Sequence, residues 1–255
     1  MRARGLFLPT ALSAHLAQNA LPLAVAVIVA IFALTEPAFL SADNLVGIAR
    51  QVAIIGIMAV CMTFVIMTGG VDLSVGPVLA LAGLAAFYCL DAGFPLPVVI
   101  LAGLSVGAAV GLANGLIVAF LQLPPIIVTL AMLSMVRGPA LIVGGPEQHL
   151  IRNQPAYSFI GTGSMMGLPV SVYIFAAVAV IMILVQRRTP LGLLVAAIGD
   201  NERAARLSGH RTRLTKTLVY VICGLGAALA GIIQSSQAHT APATYGPFGP
   251  ELYVI

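Results

Sequence analysis

Hydrophobic residues in this chain gather into long unbroken runs separated by short polar interruptions. A helix needs roughly 20 residues, at about 1.5 Å each, to cross a bilayer core about 30 Å thick. Seven runs approach that length: residues 20–35, 45–68, 75–90, 95–121, 125–143, 168–185 and 218–233. Each is apolar on all sides rather than striped, as lipid or a buried bundle demands. Ala, Leu, Val, Ile and Gly dominate them, without the alternation of a membrane barrel. The pattern predicts an all-α membrane protein: a polytopic helical bundle of about seven transmembrane helices, with residues 1–255 as a single transmembrane domain.

Composition narrows the picture. Of 255 residues, 60% are hydrophobic and only 8% charged, and mean hydropathy is +1.07. A soluble domain carries about 25% charged residues to stay in water. A soluble enzyme, a disordered chain and a nucleic-acid binder are therefore excluded as first readings, and the surface must face membrane lipid. Cys61, Cys89 and Cys223 sit in or at the ends of apolar runs, without a CxxC or Cys/His cluster. They read as small core residues and imply neither metal nor disulfide. Arg2 and Arg4 give the first run a basic start, but its apolar core begins only near Ala20. It reads as an uncleaved first span rather than a signal peptide.

Charge then predicts orientation. With the N-terminus inside, the inner segments are the N-terminus, the turns at 69–74 and 122–124, and the loop 186–217. They hold nine basic residues: Arg2, Arg4, Arg187, Arg188, Arg203, Arg206, Arg211, Arg213 and Lys216. The outer loops hold only Arg152. This asymmetry follows the positive-inside rule and agrees with an even number of spans before residue 186. The segment 144–167 reads as a polar outer loop bearing Gly and Pro. Past residue 233 the chain turns polar, then ends on Glu251-Leu252-Tyr253-Val254-Ile255, which resembles the start of another apolar run.

Two connecting segments have more pattern than a linker needs. In the loop 186–217, Asp200 or Asn201 can accept the free amide hydrogens of a helix start. Glu202 and Arg206 are spaced for an i,i+4 pair, and Gly209 can supply a left-handed C-terminal stop. A separate helix of about two turns is expected there, read either as a solvated basic loop that enforces orientation or as a docking element for a cytoplasmic protein. The second segment is Gly69-Gly70-Val71-Asp72-Leu73-Ser74-Val75-Gly76-Pro77. Two glycines end a span, Asp72 or Ser74 can cap the next, and Pro77 suits a first helical turn. It reads as a tight inner turn or as a broken helix partway into the membrane that exposes backbone to a solute.

Within the spans, Gly103, Gly107, Gly111 and Gly115 form a smooth ridge where another helix can approach closely, and Asn114 lies beside it. Arg137 falls inside the fifth run, where an Arg costs about 2.5–3.5 kcal/mol on insertion scales. It must face protein or water, satisfying carbonyls or lining a path. Arg50, near the outer end of the second run, can snorkel. Asp72 and Asp91 lie at span ends, so no carboxylate is expected inside a span, which weighs against a proton-coupled carrier. His15, His149, His210 and His239 are scattered, and neither HExxH nor GxSxG occurs. With no GxxxxGK[ST] loop, the chain is not expected to bind ATP or to act as an enzyme.

These motifs resemble those of one family. Gly69 through Gly76 is similar to the GG[IV]DLSVG block of ribose-type permeases, the membrane subunits of ATP-binding-cassette importers. Ala113-Asn114-Gly115-Leu116-Ile117-Val118 and the stretch Pro124–Gly138, which contains Thr129 and Arg137, resemble the family's next blocks. Asp200, Asn201, Glu202, Arg203, Ala204, Ala205, Arg206, Leu207, Ser208 and Gly209 resemble its coupling helix. The resemblance implies a subunit of a monosaccharide importer in the bacterial inner membrane, working by alternating access, with no cofactor of its own. Its partners would be a cytoplasmic ATPase holding ATP and Mg²⁺, a second permease subunit, identical or paralogous, and a periplasmic sugar-binding protein. It also implies Asp200–Gly209 as the ATPase contact, Asn114, Thr129 and Arg137 as path residues, and Gly69, Gly70, Asp72, Ser74 and Gly76 as the family turn. Family members continue with further spans, so the chain is expected to be truncated relative to them. The rival reading is a stand-alone secondary transporter or channel for a small neutral solute.

Overall fold

A computed structural model describes residues 20–145 and 149–243. Arg2, Arg4, His15 and the ending Glu251–Ile255 lie outside the described residues. The chain divides into two compact units, Met1–Ile48 and Ala49–Ile255. In the first, α1 (Ala20–Thr35) has no buried residue, although it is apolar on all its faces, the pattern of a helix that meets lipid or other helices. Phe32 stacks on Phe39 just beyond it, with centroids 5.7 Å apart, and α2 (Ala42–Met67) begins before the boundary.

The second unit continues α2 and adds α3 (Val75–Asp91), α4 (Leu96–Phe120) and α5 (Pro125–Gly144). A short helix α6 (Pro155–Thr162) precedes α7 (Val170–Arg188), α8 (Pro190–Leu207) and α9 (Thr212–Ala238). Two small antiparallel ribbons complete it. β1 (His149–Leu150) pairs with β4 (Thr240–Ala241), and β2 (Ser164–Met165) pairs with β3 (Leu168–Pro169). All seven apolar runs are helical, but only α2, α4, α5, α7 and α9 are long and apolar enough to cross a membrane. The helices α1 and α3, of 16 and 17 residues, are shorter.

The centre of this unit is α9, 67% of whose most apolar window is buried, against 11% for α7. The glycine ridge explains why. Gly103, Gly107, Gly111 and Gly115 meet Ile232, Gly224, Tyr220 and Thr217 in turn, so α4 and α9 run antiparallel. At Gly107 a methyl group would overlap the Gly224 carbonyl, and at Gly224 one would overlap the Gly107 carbonyl. The backbones therefore touch without intervening side chains, as small residues permit. Gly231 approaches the Leu79 carbonyl of α3 in the same way.

Three expectations require correction. Helix α9 begins at Thr212 rather than near 218 and runs to Ala238, past the polar 234–237 stretch. Ser235 and Ser236 stay helical and fully buried because α6 supplies their partners. The Tyr157 hydroxyl lies 2.6 Å from Ser235 Oγ, and Ser236 Oγ accepts the Gly161 N–H at 2.8 Å. The segment 149–167, read above as part of a polar loop, is thus partly folded, and Arg50 Nη2 donates to the Thr162 carbonyl in it, 2.9 Å away. Third, the loop 186–217 is mostly helix, as α8 starts directly after α7 with Pro190 in its first turn. Gly192, Val195 and Ile198 recur at helical spacing and are buried.

Replacing Gly107 by Val should lower the stability of the detergent-solubilised chain by about 1–3 kcal/mol, the usual cost of overpacking. Gly138 has open space around an added methyl, so Gly138→Ala should leave the melting temperature within a degree or two of wild type, or raise it. Thermal unfolding of the two variants separates the seam from an indifferent glycine.

Candidate functional site

The turn after α2 is built by its glycines. The Gly70 N–H donates to the Val65 carbonyl at 3.1 Å and the Gly69 N–H to the Ile66 carbonyl at 2.9 Å. This is the paired C-terminal closure that needs a left-handed residue, supplied by Gly69 at φ +79°. Asp72 then folds the chain back. Its Oδ1 accepts the Ser74 N–H at 2.9 Å and the Ser74 hydroxyl at 2.6 Å. Ser74 stands at the N-cap of α3, but its side chain does not cap the helix. Gly76 is buried in the first turn of α3.

Two residues nominated from distant motifs meet this turn. Asn114 Nδ2 donates to Ser74 Oγ at 2.9 Å and approaches both Asp72 oxygens at 3.3 Å. Thr129 Oγ1 lies 3.1 Å from the Val71 carbonyl and 3.0 Å from the Pro125 carbonyl. Asp72, Ser74, Asn114 and Thr129 are each at most 1% exposed. Tyr220 of α9 closes the other side, its hydroxyl against Gly70. Asn114 lies six residues before the end of α4, so the turn is recessed by about 9 Å. Gly70, Asp72 and Ser74 are buried, Val71 and Leu73 half-buried and Gly69 exposed, so the segment is a tight turn with one side packed against α4, α5 and α9. Asp72 lies between the end of α2 and the start of α3, as expected of a span end, and its carboxyl group is buried there. Its oxygens face donors of this chain, Ser74 and Asn114, as a buried polar group requires. Arg137 is not part of the cluster. It lies half-buried on α5, eight residues beyond Thr129 and so about 12 Å along the helix.

The second element is the end of α8. Asn201 has non-helical backbone (φ −156°, ψ 96°), which breaks the helix in two. Its Oδ1 accepts the Ala204 N–H at 3.0 Å, so Asn201 rather than Asp200 is the cap. The piece closes through the His210 N–H to the Ala205 carbonyl at 3.3 Å and the Gly209 N–H to the Arg206 carbonyl at 3.1 Å, with Gly209 at φ +85°. Only Ala205 is buried. Asp200, Asn201, Arg203, Ala204, Arg206, Leu207, Ser208 and Gly209 are exposed, Leu207 by 83%.

Glu202 anchors this exposed piece. It pairs with Arg206 at 2.9 Å and with Lys216 in the first turns of α9. Partial burial raises its carboxyl pKa, but the Lys216 ammonium and then the Arg206 guanidinium outweigh this and hold it below the usual range. One turn above Lys216 on α9 stands Tyr220, so one helix touches both the exposed piece and the buried turn. Arg213 lies over the Phe120 ring, 5.7 Å from its centroid, tying the start of α9 to the end of α4. A cavity of about 250 Å³ lies between the α4–α5 turn (Gln122, Leu123, Pro124) and Glu202, Arg206 and Lys216. Sequence reading missed Lys216 and Tyr220. Lys216 is fourteen residues from Glu202, a separation without a local signal, although it is the sole lysine.

Residues 44–255 match the family model described as the permease component of branched-chain amino acid transport systems. The chain belongs to this permease family. It is 40% identical over 211 residues to the galactofuranose transporter permease protein of Escherichia coli (strain K12), covering 82% of this chain and 61% of the relative. It is 37% identical over 236 residues to the ribose import permease protein of the same strain, covering 91% and 73%. The fructose import permease protein of Bifidobacterium longum is 36% identical over 200 residues, covering 77% and 56%. The chain thus spans less than two thirds of the length of the first and last of these relatives. No solved structure gave a significant match. Permease-family membership and the five long apolar helices make it a multi-pass membrane protein.

Two outcomes follow from the geometry. Asp72→Ala and Asn114→Ala remove partners in one network, so their destabilisations should be non-additive by about 0.5–3 kcal/mol in a denaturation double-mutant cycle. The depressed Glu202 pKa means that its bonds add stability above the usual glutamate range and lose it as pH falls through the folded value. Amide exchange of residues 203–210 should therefore stay slow, after correction for intrinsic pH dependence, from pH 7 to below the ordinary Glu pKa. Lys216→Gln should shift the loss of protection to higher pH.

Proposed function

We propose that the chain is the membrane-spanning permease subunit of an ATP-driven importer for a monosaccharide or sugar-like solute, moving it by alternating access. The observation that carries this reading is the capped, exposed piece 201–209, braced through Glu202 and Lys216 onto the most buried of the five long apolar helices. A rigid exposed piece tied to a central helix is what a motor needs to move a bundle as a body. The names of the relatives, all permeases for monosaccharides, support the solute class.

In this proposal Asp200–Gly209 meets a cytoplasmic ATP-binding subunit, which holds ATP and Mg²⁺, and the face carrying it is cytoplasmic. Arg203 and Leu207 project into the partner, and the adjacent cavity beside Gln122–Pro124 receives a partner side chain. A second permease subunit completes the pathway, and a periplasmic sugar-binding protein delivers the solute in the inner membrane of a bacterium. Asn114 and Thr129 act as path-supporting residues by holding the recessed turn, with Arg137 further along α5.

Tagged chain coexpressed with its ATPase subunit should copurify with it, and removal of Asn201–Leu207 should abolish both association and uptake. Leu207→Asp should weaken association by on the order of tenfold or more, as for a central interface anchor. Association and uptake that survive the deletion contradict the docking role. Uptake that persists without ATP and collapses with an uncoupler supports the secondary-transporter reading instead.

A further inference from the structure

A groove between α2 and α7 is not used by the transport reading. The two helices touch where Gly56 backs onto Phe175, so closely that a methyl at Gly56 would lie 2.6 Å from the ring. Beyond that contact a groove of about 230 Å³ opens, with Val60, Thr63 and Phe64 on one wall and Met182 and Ile183 on the other. Arg187 lines its far end, with Arg188 next in the last turn of α7. Helix α8 crosses beneath that end, its Gly199 against the Met67 carbonyl and its Gly192 against the backbone of Gln186.

Both arginines are exposed, and among the described residues neither pairs with a carboxylate. The groove is therefore mostly apolar, with Thr63 and Gln186 as its uncharged polar lining, and cationic at one end, and it lies between two long apolar helices. We propose that it binds an anionic phospholipid, with an acyl chain along Val60 and Ile183 and the phosphate at Arg187 and Arg188. Two features favour lipid over another helix. Packed helices need 8–10 Å between axes, whereas this groove has the volume of a chain segment. An apolar helix would also leave the two guanidinium groups without a counter-charge, and basic sites between spans suit anionic head groups.

The chain has no tryptophan, so one introduced reporter reads the groove directly. The T63W chain is placed in vesicles of equal phosphatidylglycerol and phosphatidylcholine, with bromine on the acyl chains of one lipid or the other. Quenching should favour brominated phosphatidylglycerol by about threefold or more, and R187Q/R188Q in the same background should abolish the preference. I183W reports from the opposite wall should T63W misfold. Equal quenching by the two lipids overturns the proposal. So does absence of quenching at both reporters, which would place protein, a second copy or a neighbouring span, in the groove.

Discussion

The backbone contact between α4 and α9 is the constraint on which the second unit depends. In a bilayer, apolar side chains gain little by leaving lipid for one another, so helices associate by close packing and hydrogen bonds. Four glycines on α4 and Gly224 on α9 let two main chains touch. That contact fixes the depth of every residue on α9. It sets Tyr220 against the Gly69-Gly70 turn, places Lys216 under Glu202, and brings Ser235 and Ser236 to α6.

The buried polar groups follow from this placement. The buried groups of the 69–74 turn cannot rely on water, and each unmade bond would be costly there. Asp72, Ser74, Asn114 and Thr129 supply the missing partners. Their hydrogen bonds join α3, α4 and α5 at one point, next to α9. The exposed piece 201–209 is joined to the same helix by Glu202. A load applied at the surface thus has a short path, through charged and hydrogen-bonded contacts, to the buried turn. This continuity is what the proposed motor-driven permease requires.

The helices were legible because continuous apolar runs of this length have few other solutions, and all seven emerged within a few residues at most ends. The glycine spacing revealed a packing face, and Asn201, Glu202, Arg206 and Gly209 revealed a capped helix, because those signals are local. What stayed hidden depended on tertiary partners. Ser235 and Ser236 read as a polar break because their acceptors and donors belong to α6, some 75 residues earlier in the chain. The first half of α8 was hidden because a short apolar helix between charged segments resembles a loop with scattered Leu. Asp72 read as a possible helix cap at a span end, since nothing in its own neighbourhood records that α4 and α5 pack against it. For the same reason Asn114 and Thr129 were nominated singly, and their meeting at one turn was visible only in three dimensions.

The central claim is that the exposed piece 201–209, α9 and the 69–74 turn move as one body. Electron cryomicroscopy of the chain with the proposed ATPase partner, nucleotide-free and trapped with a non-hydrolysable ATP analogue, tests it most directly. The three segments should superpose as a single rigid group in both states while their orientation to other helices changes. A shift of 201–209 that leaves α9 and the turn in place would contradict the claim.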